Sequence, residues 1–144
     1  MEYSVGNVGR VVVVCLSEGD ELYECIEGVA AKESIASAAV FITGGIRKAD
    51  VVVGPKQETP EIVGDFRKFV GPGEVLGVGT IYSDGDQPKM HMHAAMGKGD
   101  NVMVGCPRGG ANVFLVLEVT IIEIVGTTAR RELDEGSGVK LLTV

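Results

Sequence analysis

Glycine stands at 21 of 144 positions, about twice its usual share of roughly 7%, and it falls between short runs of β-branched residues. That punctuation predicts many strands joined by tight turns and leaves little room for helices. Residues 9–16 (GRVVVVCL) form a continuous β-branched run that reads as a strand buried on both faces. Ser17-Glu18-Gly19-Asp20 follows as a helix start, with Ser17 or Asp20 placed to accept hydrogen bonds from the open N–H groups of the first turn. Leu22, Cys25, Ile26, Val29 and Ala30 recur at three-to-four spacing as far as Lys32, which predicts one amphipathic helix of about three turns, the only convincing helix in the chain.

Residues 35–43 and 49–53 are expected strands separated by Gly44-Gly45, and residues 54–60, with two prolines and a glycine, read as a loop. Residues 61–70 read as an edge strand ended by Gly71-Pro72-Gly73. Residues 74–82 form a strand whose Gly77 and Gly79 leave a bare face open to close approach. Further strands are expected over 88–96 and 101–105, with turns at 83–86, 97–100 and 107–110. Residues 111–125 are the longest run, with Val113, Leu115, Leu117, Val119 and Ile121 on one face. The polar tail 126–138 carries Arg130-Arg131, which reads as a solvated face or a partner for nearby acids, and residues 139–144 can return as a final edge strand. No repeat or linker divides the chain. The reading is one domain over residues 1–144 with its core in 5–125. Its fold class is α+β, a mostly antiparallel twisted sheet of about seven or more strands with one main helix packed on it.

Thirteen Lys and Arg against 20 Asp and Glu leave a net charge of −7, which speaks against a nucleic-acid partner held by bulk electrostatics. Pro107-Arg108-Gly109-Gly110 looks superficially like a minor-groove hook, but it is short, sits in an acidic chain, and reads better as a hairpin turn. No apolar run approaches the roughly 20 residues of a membrane span, so no membrane partner is expected. Three widely spaced cysteines and an N-terminus lacking a secretory pattern predict reduced thiols and a cytoplasmic location, with Cys15 and Cys25 on core faces.

The two histidines are His91 and His93. In a strand, residues two apart share a face about 7 Å apart, so both imidazoles can converge on one ion, while Met90, Met92 and Ala94 face the core. Cys106, at the end of the next short strand, returns alongside them if 88–96 and 101–105 form a hairpin. A His₂Cys set would leave a fourth position for water. Asp84, Asp86 and Glu118 are further candidates, and a plain pair of surface histidines is the alternative. Gly71–Gly79 is glycine-rich but lacks the Lys-Ser/Thr of a phosphate loop, and no serine sits in a nucleophile elbow.

Several segments, taken in order, resemble the "plants and prokaryotes conserved" (PPC) domain family over roughly residues 5–125. They are Gly9-Arg10 entering the valine strand, Glu18-Gly19-Asp20-Glu21, Ile42-Thr43-Gly44-Gly45, Lys89-Met90-His91-Met92-His93, Asn101-Val102-Met103-Val104-Gly105 and Leu117-Glu118-Val119-Thr120-Ile121. The resemblance implies an α+β fold and a homotrimer. In plants the domain follows an AT-hook in nuclear DNA-binding proteins and mediates assembly. Prokaryotic members usually stand alone, without an established reaction, and some hold a metal at a histidine cluster. The AT-hook is absent here, so no DNA partner is expected. The family's third histidine, in a Gly-Gly-His-like turn, is replaced by Pro107, and Cys106 one residue earlier is the substitute ligand. The expectation is a cytoplasmic homotrimer binding a divalent metal, zinc, through His91, His93 and Cys106. The alternatives are an assembly module without metal and a metal-dependent hydrolase with Glu118 or Asp84 as base.

Overall fold

Two strands run much further than their glycines predict. The computed structural model describes residues 1–57 and 62–144. Its elements are β1 (Asn7–Ser17), α1 (Leu22–Lys32), β2 (Ser37–Pro55), β3 (Gly64–Asp84), β4 (Gln87–Lys98), β5 (Asn101–Pro107), β6 (Asn112–Val125), β7 (Arg130–Asp134) and β8 (Val139–Thr143). The two strands expected on either side of Gly44-Gly45 are one, β2. A side chain on Gly45 would strike the carbonyl of Phe114, so this glycine lets β6 approach where the β2–β6 register shifts. Gly71-Pro72-Gly73 likewise does not end a strand. β3 stays paired with β2 on both sides of it, Lys48 opposite Val70 and Ile46 opposite Gly73. Residues 58–61, the end of the expected loop and the first residue of the expected edge strand, lie outside the described residues.

β2 organises the sheet. One edge pairs with β3 along its length; the other pairs first with β6 and then, at Val51 and Val52, with the end of β5. β4 joins β3 to β5, so β2, β3, β4 and β5 close a circuit of pairings. β1 adds to the free edge of β6, and the β7–β8 hairpin hangs on β3 through the single parallel pair Ser83–Arg130. The fold is therefore α+β, and all other pairings are antiparallel. The helical spacing is observed: Leu22, Ile26 and Ala30 are fully buried and join a core with Met92, Met96, Val119 and Ile121, α1 lying against β4.

Four local expectations are corrected. β1 is an edge strand buried on one face only. Val12 and Val14 pack on the core, whereas Val11, Val13 and Cys15 are exposed, because no strand or helix among the described residues covers the outer side. Cys25, by contrast, is half-buried and packs against the core as expected. The helix is capped neither by Ser17 nor by Asp20: Asp20 Oδ2 accepts the Ser17 N–H at 2.8 Å, and Glu21 is the cap, accepting the Glu24 N–H at 2.8 Å. Leu115 does not face the core. Its backbone is left-handed (φ 63°), its side chain is exposed, and its N–H donates to Glu18 Oε2 at 2.5 Å. The polar tail, in turn, contains strand β7.

Gly9-Arg10 has a structural purpose. The Glu123 carboxylate sits where a side chain on Gly9 would be, and it accepts from Arg10 Nε (2.9 Å), Nη2 (2.9 Å) and backbone N–H (3.0 Å). Arg10 also donates to the Glu33 carbonyl at the end of α1 (2.8 Å), so one guanidinium ties β1, β6 and the helix together. Its hydrogen bonds hold the Glu123 carboxyl down at about 2. A depressed carboxyl stabilises the fold above its unfolded value, and that contribution disappears as pH falls through the folded value. Between pH 5 and pH 2, urea denaturation is therefore expected to show a larger loss of stability for the native chain than for Glu123→Gln. Equal losses would remove the pair from the acid response.

Candidate metal centre

β4 alternates as its sequence predicts. Met90, Met92, Ala94 and Met96 are buried, while His91 and His93 stand on the opposite face, half-buried and exposed respectively. Their rings lie edge-on, 5.1 Å apart at 86°. The β4–β5 hairpin holds through Ala94 opposite Gly105, then β5 leaves β4 and crosses to β2, where Cys106 pairs with Val52. Gly105 makes the crossing possible, because a side chain there would meet the Val52 carbonyl at 2.5 Å. The crossing turns buried Cys106 toward the histidines. The ligand atoms of His91, His93 and Cys106 all lie within 4.8 Å of one another. A tetrahedral zinc with bonds of about 2.0–2.3 Å needs donors about 3.3–3.7 Å apart, an inward movement on the order of 1 Å that small side-chain rotations supply. The donor set fits the group.

Helix α1 braces both halves of this cluster. Glu27 accepts the Met90 N–H at 3.0 Å, on the edge of β4 that β5 does not reach, and the Lys89 ammonium at 2.7 Å, fixing the strand just ahead of His91. Tyr23 donates to the Pro107 carbonyl at 2.5 Å, and burial, with Cys106 beside it, pushes its hydroxyl pKa far up, so it stays a donor. The Cys106 thiol lies 3.7 Å from the same carbonyl. Glu21, besides capping the helix, accepts the N–H groups of Gly110 (3.1 Å) and Ala111 (3.2 Å) and so holds the β5–β6 turn.

Burial first, then the positive charges of Arg131, His93 and Arg108, lowers the pKa of His91 and favours its neutral, ligating form. Asp84, Asp86 and Glu118 do not join the cluster among the described residues. Asp84 is engaged by Lys140 at 2.7 and 2.6 Å, and Glu118 lies on β6 opposite Cys15 and Thr43. Among the described residues, no carboxylate joins the three donors. Residue spacing did not point to Tyr23, Glu27, Arg108 or Arg131. The signal available was the acid at three-to-four spacing along the polar side of the helix; for the arginines there was none, since their approach depends on tertiary structure.

Sheet, single helix and His₂Cys cluster together define a small α+β domain with a candidate metal centre. The chain belongs to the Plants and Prokaryotes Conserved (PCC) domain family, whose profile matches residues 3–125. It is similar to a metal-containing protein from Archaeoglobus fulgidus (26% identity, all of both chains, TM-score 0.87). It also shares its fold with a plant- and prokaryote-conserved protein from Pyrococcus horikoshii (22%, all of this chain and 98% of that one, TM-score 0.84). A third similar fold is that of a suggested DNA-binding protein from Ralstonia eutropha (19%, 92% of this chain and 90% of that one, TM-score 0.77). No curated protein matches the sequence. Among the described residues, no helix is long and apolar enough to cross a membrane.

Glu21→Ala removes a helix cap and the acceptor of two turn N–H groups at once. It is expected to cost about 1–2 kcal/mol, read from urea denaturation, and a cost below about 0.3 kcal/mol would show that the turn holds without it.

Proposed function

We propose that the protein is a cytoplasmic, homotrimeric metal-binding domain that takes one divalent ion, zinc, per chain through His91, His93 and Cys106. The convergence of their three ligand atoms within 4.8 Å carries the reading. Two imidazoles and a thiolate are a borderline-soft set that suits zinc, with a fourth position left for water or an anion. The metal-containing A. fulgidus protein, similar over the full length of both chains, supports it, as does the helix brace that fixes the donors before any ion arrives. Three free thiols suit a reducing compartment, and the net charge of −7 weighs against a nucleic-acid partner.

The trimer rests on a second observation. Val13, Thr120, Phe41, Val78 and His93 stand in one row across five strands, with Leu76 and Val104 in the next. Val13, Phe41, Leu76, Val78 and Val104 are 43–77% exposed. A continuous apolar sheet face of this kind is what a subunit contact covers, and further copies of the same chain are the partner proposed for it.

Elemental analysis of purified protein is expected to give about one zinc per chain, lost in the double variant His91→Ala/His93→Ala and held several-fold more weakly in Cys106→Ser. Metal-free native protein would sink the reading, and unaltered affinity in Cys106→Ser would remove the thiol from the set. For assembly, light scattering is expected to give the mass of three chains, and Val78→Lys a smaller species. A native monomer would refute the trimer.

A further inference from the structure

Two guanidinium groups lie beside His91 without a carboxylate partner among the described residues. Arg131 comes from β7, beyond the family match, and its half-buried side chain turns inward. Its Nη2 donates to Thr80 Oγ1 at 3.2 Å and its guanidinium lies 5.6 Å from the Tyr82 ring centre. Thr80 is the register partner of His91, so Arg131 is held next to the imidazole. Arg108 stands on the β5–β6 turn two residues after Cys106, its backbone N–H fixed on the Asp50 carbonyl at 2.7 Å. Its side chain and that of His91 line two adjoining clefts. One, of about 490 Å³, is shared with Arg131, and the other, of about 340 Å³, with His93 and Cys106.

The other charges at the larger cleft cancel locally. Lys140 is paired with Asp84 and Lys89 with Glu27. Arg130, one residue away, is closed by Glu132 at 2.7 Å. A chain with seven more acids than bases thus places at the same imidazole two guanidiniums that no carboxylate among the described residues pairs, and Val139 and Leu141 supply an apolar wall.

We propose that Arg108 and Arg131 bind the oxyanion of a small molecule, a carboxylate or a phosphate, in the cleft over His91, as the ligand of the metal centre. The proposal rests on the metal-centre reading and adds the chemical class of what that centre meets. Guanidinium forks suit the planar or tetrahedral oxygens of such groups, and Thr80 and Tyr82 hold Arg131 in place before the anion arrives.

The test is calorimetric titration of inorganic phosphate, and separately of malonate, into the chelator-treated full chain, so that its outcome does not depend on metal. Saturable binding of either probe is expected, phosphate alone indicating a phosphorylated ligand and malonate alone a carboxylate. Arg131→Gln and Arg108→Gln should each weaken binding at least tenfold, and Arg130→Gln, with the same change in net charge, less than twofold. Because Arg108 is exposed on a turn, its variant separates lost recognition from a disturbed β7–β8 hairpin. Absence of saturable binding to both probes, retained affinity in either arginine variant, or an equal loss in Arg130→Gln would overturn the proposal. Anion binding of the expected pattern in a protein that takes up no zinc would fail the metal reading alone.

Discussion

A helix laid across a sheet can cover side chains, but it cannot complete the hydrogen-bond ladder at the edges it crosses. The backbone N–H groups left there need acceptors, and in this protein four carboxylates of the segment 18–27 provide them. Glu18 takes the N–H of Leu115, Asp20 that of Ser17, Glu21 those of Gly110 and Ala111, and Glu27 that of Met90. Ionised acceptors are stronger partners for N–H groups than neutral ones, so one short acidic stretch fixes β1, β4, the β5–β6 turn and β6 relative to the helix. The acidity of the chain is, in this region, a structural requirement of the sheet.

The candidate centre lies where two of these braces meet. Glu27 fixes β4 from one side, and Glu21 with Tyr23 fixes the chain around Pro107 from the other. His91 and Cys106 are 15 positions apart in sequence and belong to strands that part company at Gly105. Their approach thus depends on the closed circuit through β2, not on the hairpin alone. A hairpin without the crossing would leave Cys106 beside His93 on an open ladder; the pairing with Val52 buries it and turns it toward both rings.

The histidine pair was legible because period-two alternation is local: Met90 and Met92 needed the core, so His91 and His93 faced away from it. The helix was legible for the same reason at period 3.6. Gly44-Gly45 was misread because glycine marks both strand ends and sites of close backbone approach, and only the position of β6 decides between them. Val11 and Val13 were misread because β-branched residues on both faces fit a central strand and equally an edge strand whose outer face awaits a partner. Leu115 fell off the core face because a bulge moves a residue across the pleat without leaving a mark in composition. Arg131 looked like a solvated charge, since its inward turn comes from the β7–β8 hairpin docking on β3, a contact made at a distance of about 50 residues.

Net charge and local charge lead to different expectations here, and distance resolves them. A duplex is recognised by cations spread over a surface wider than the Debye length of about 8–10 Å, and over that range a net charge of −7 weighs against binding. A small oxyanion samples only its immediate surroundings. At the cleft by His91 the acids Asp84 and Glu27 are already closed by Lys140 and Lys89, which among the described residues leaves Arg108 and Arg131 as the unpaired charges there. The expectation of no nucleic-acid partner and the proposed anion cleft beside the candidate metal donors are therefore compatible. The arginine from β7 also places part of that selectivity outside residues 3–125. The residues of the family match carry the candidate donors His91, His93 and Cys106, and the segment that follows them supplies charge of its own.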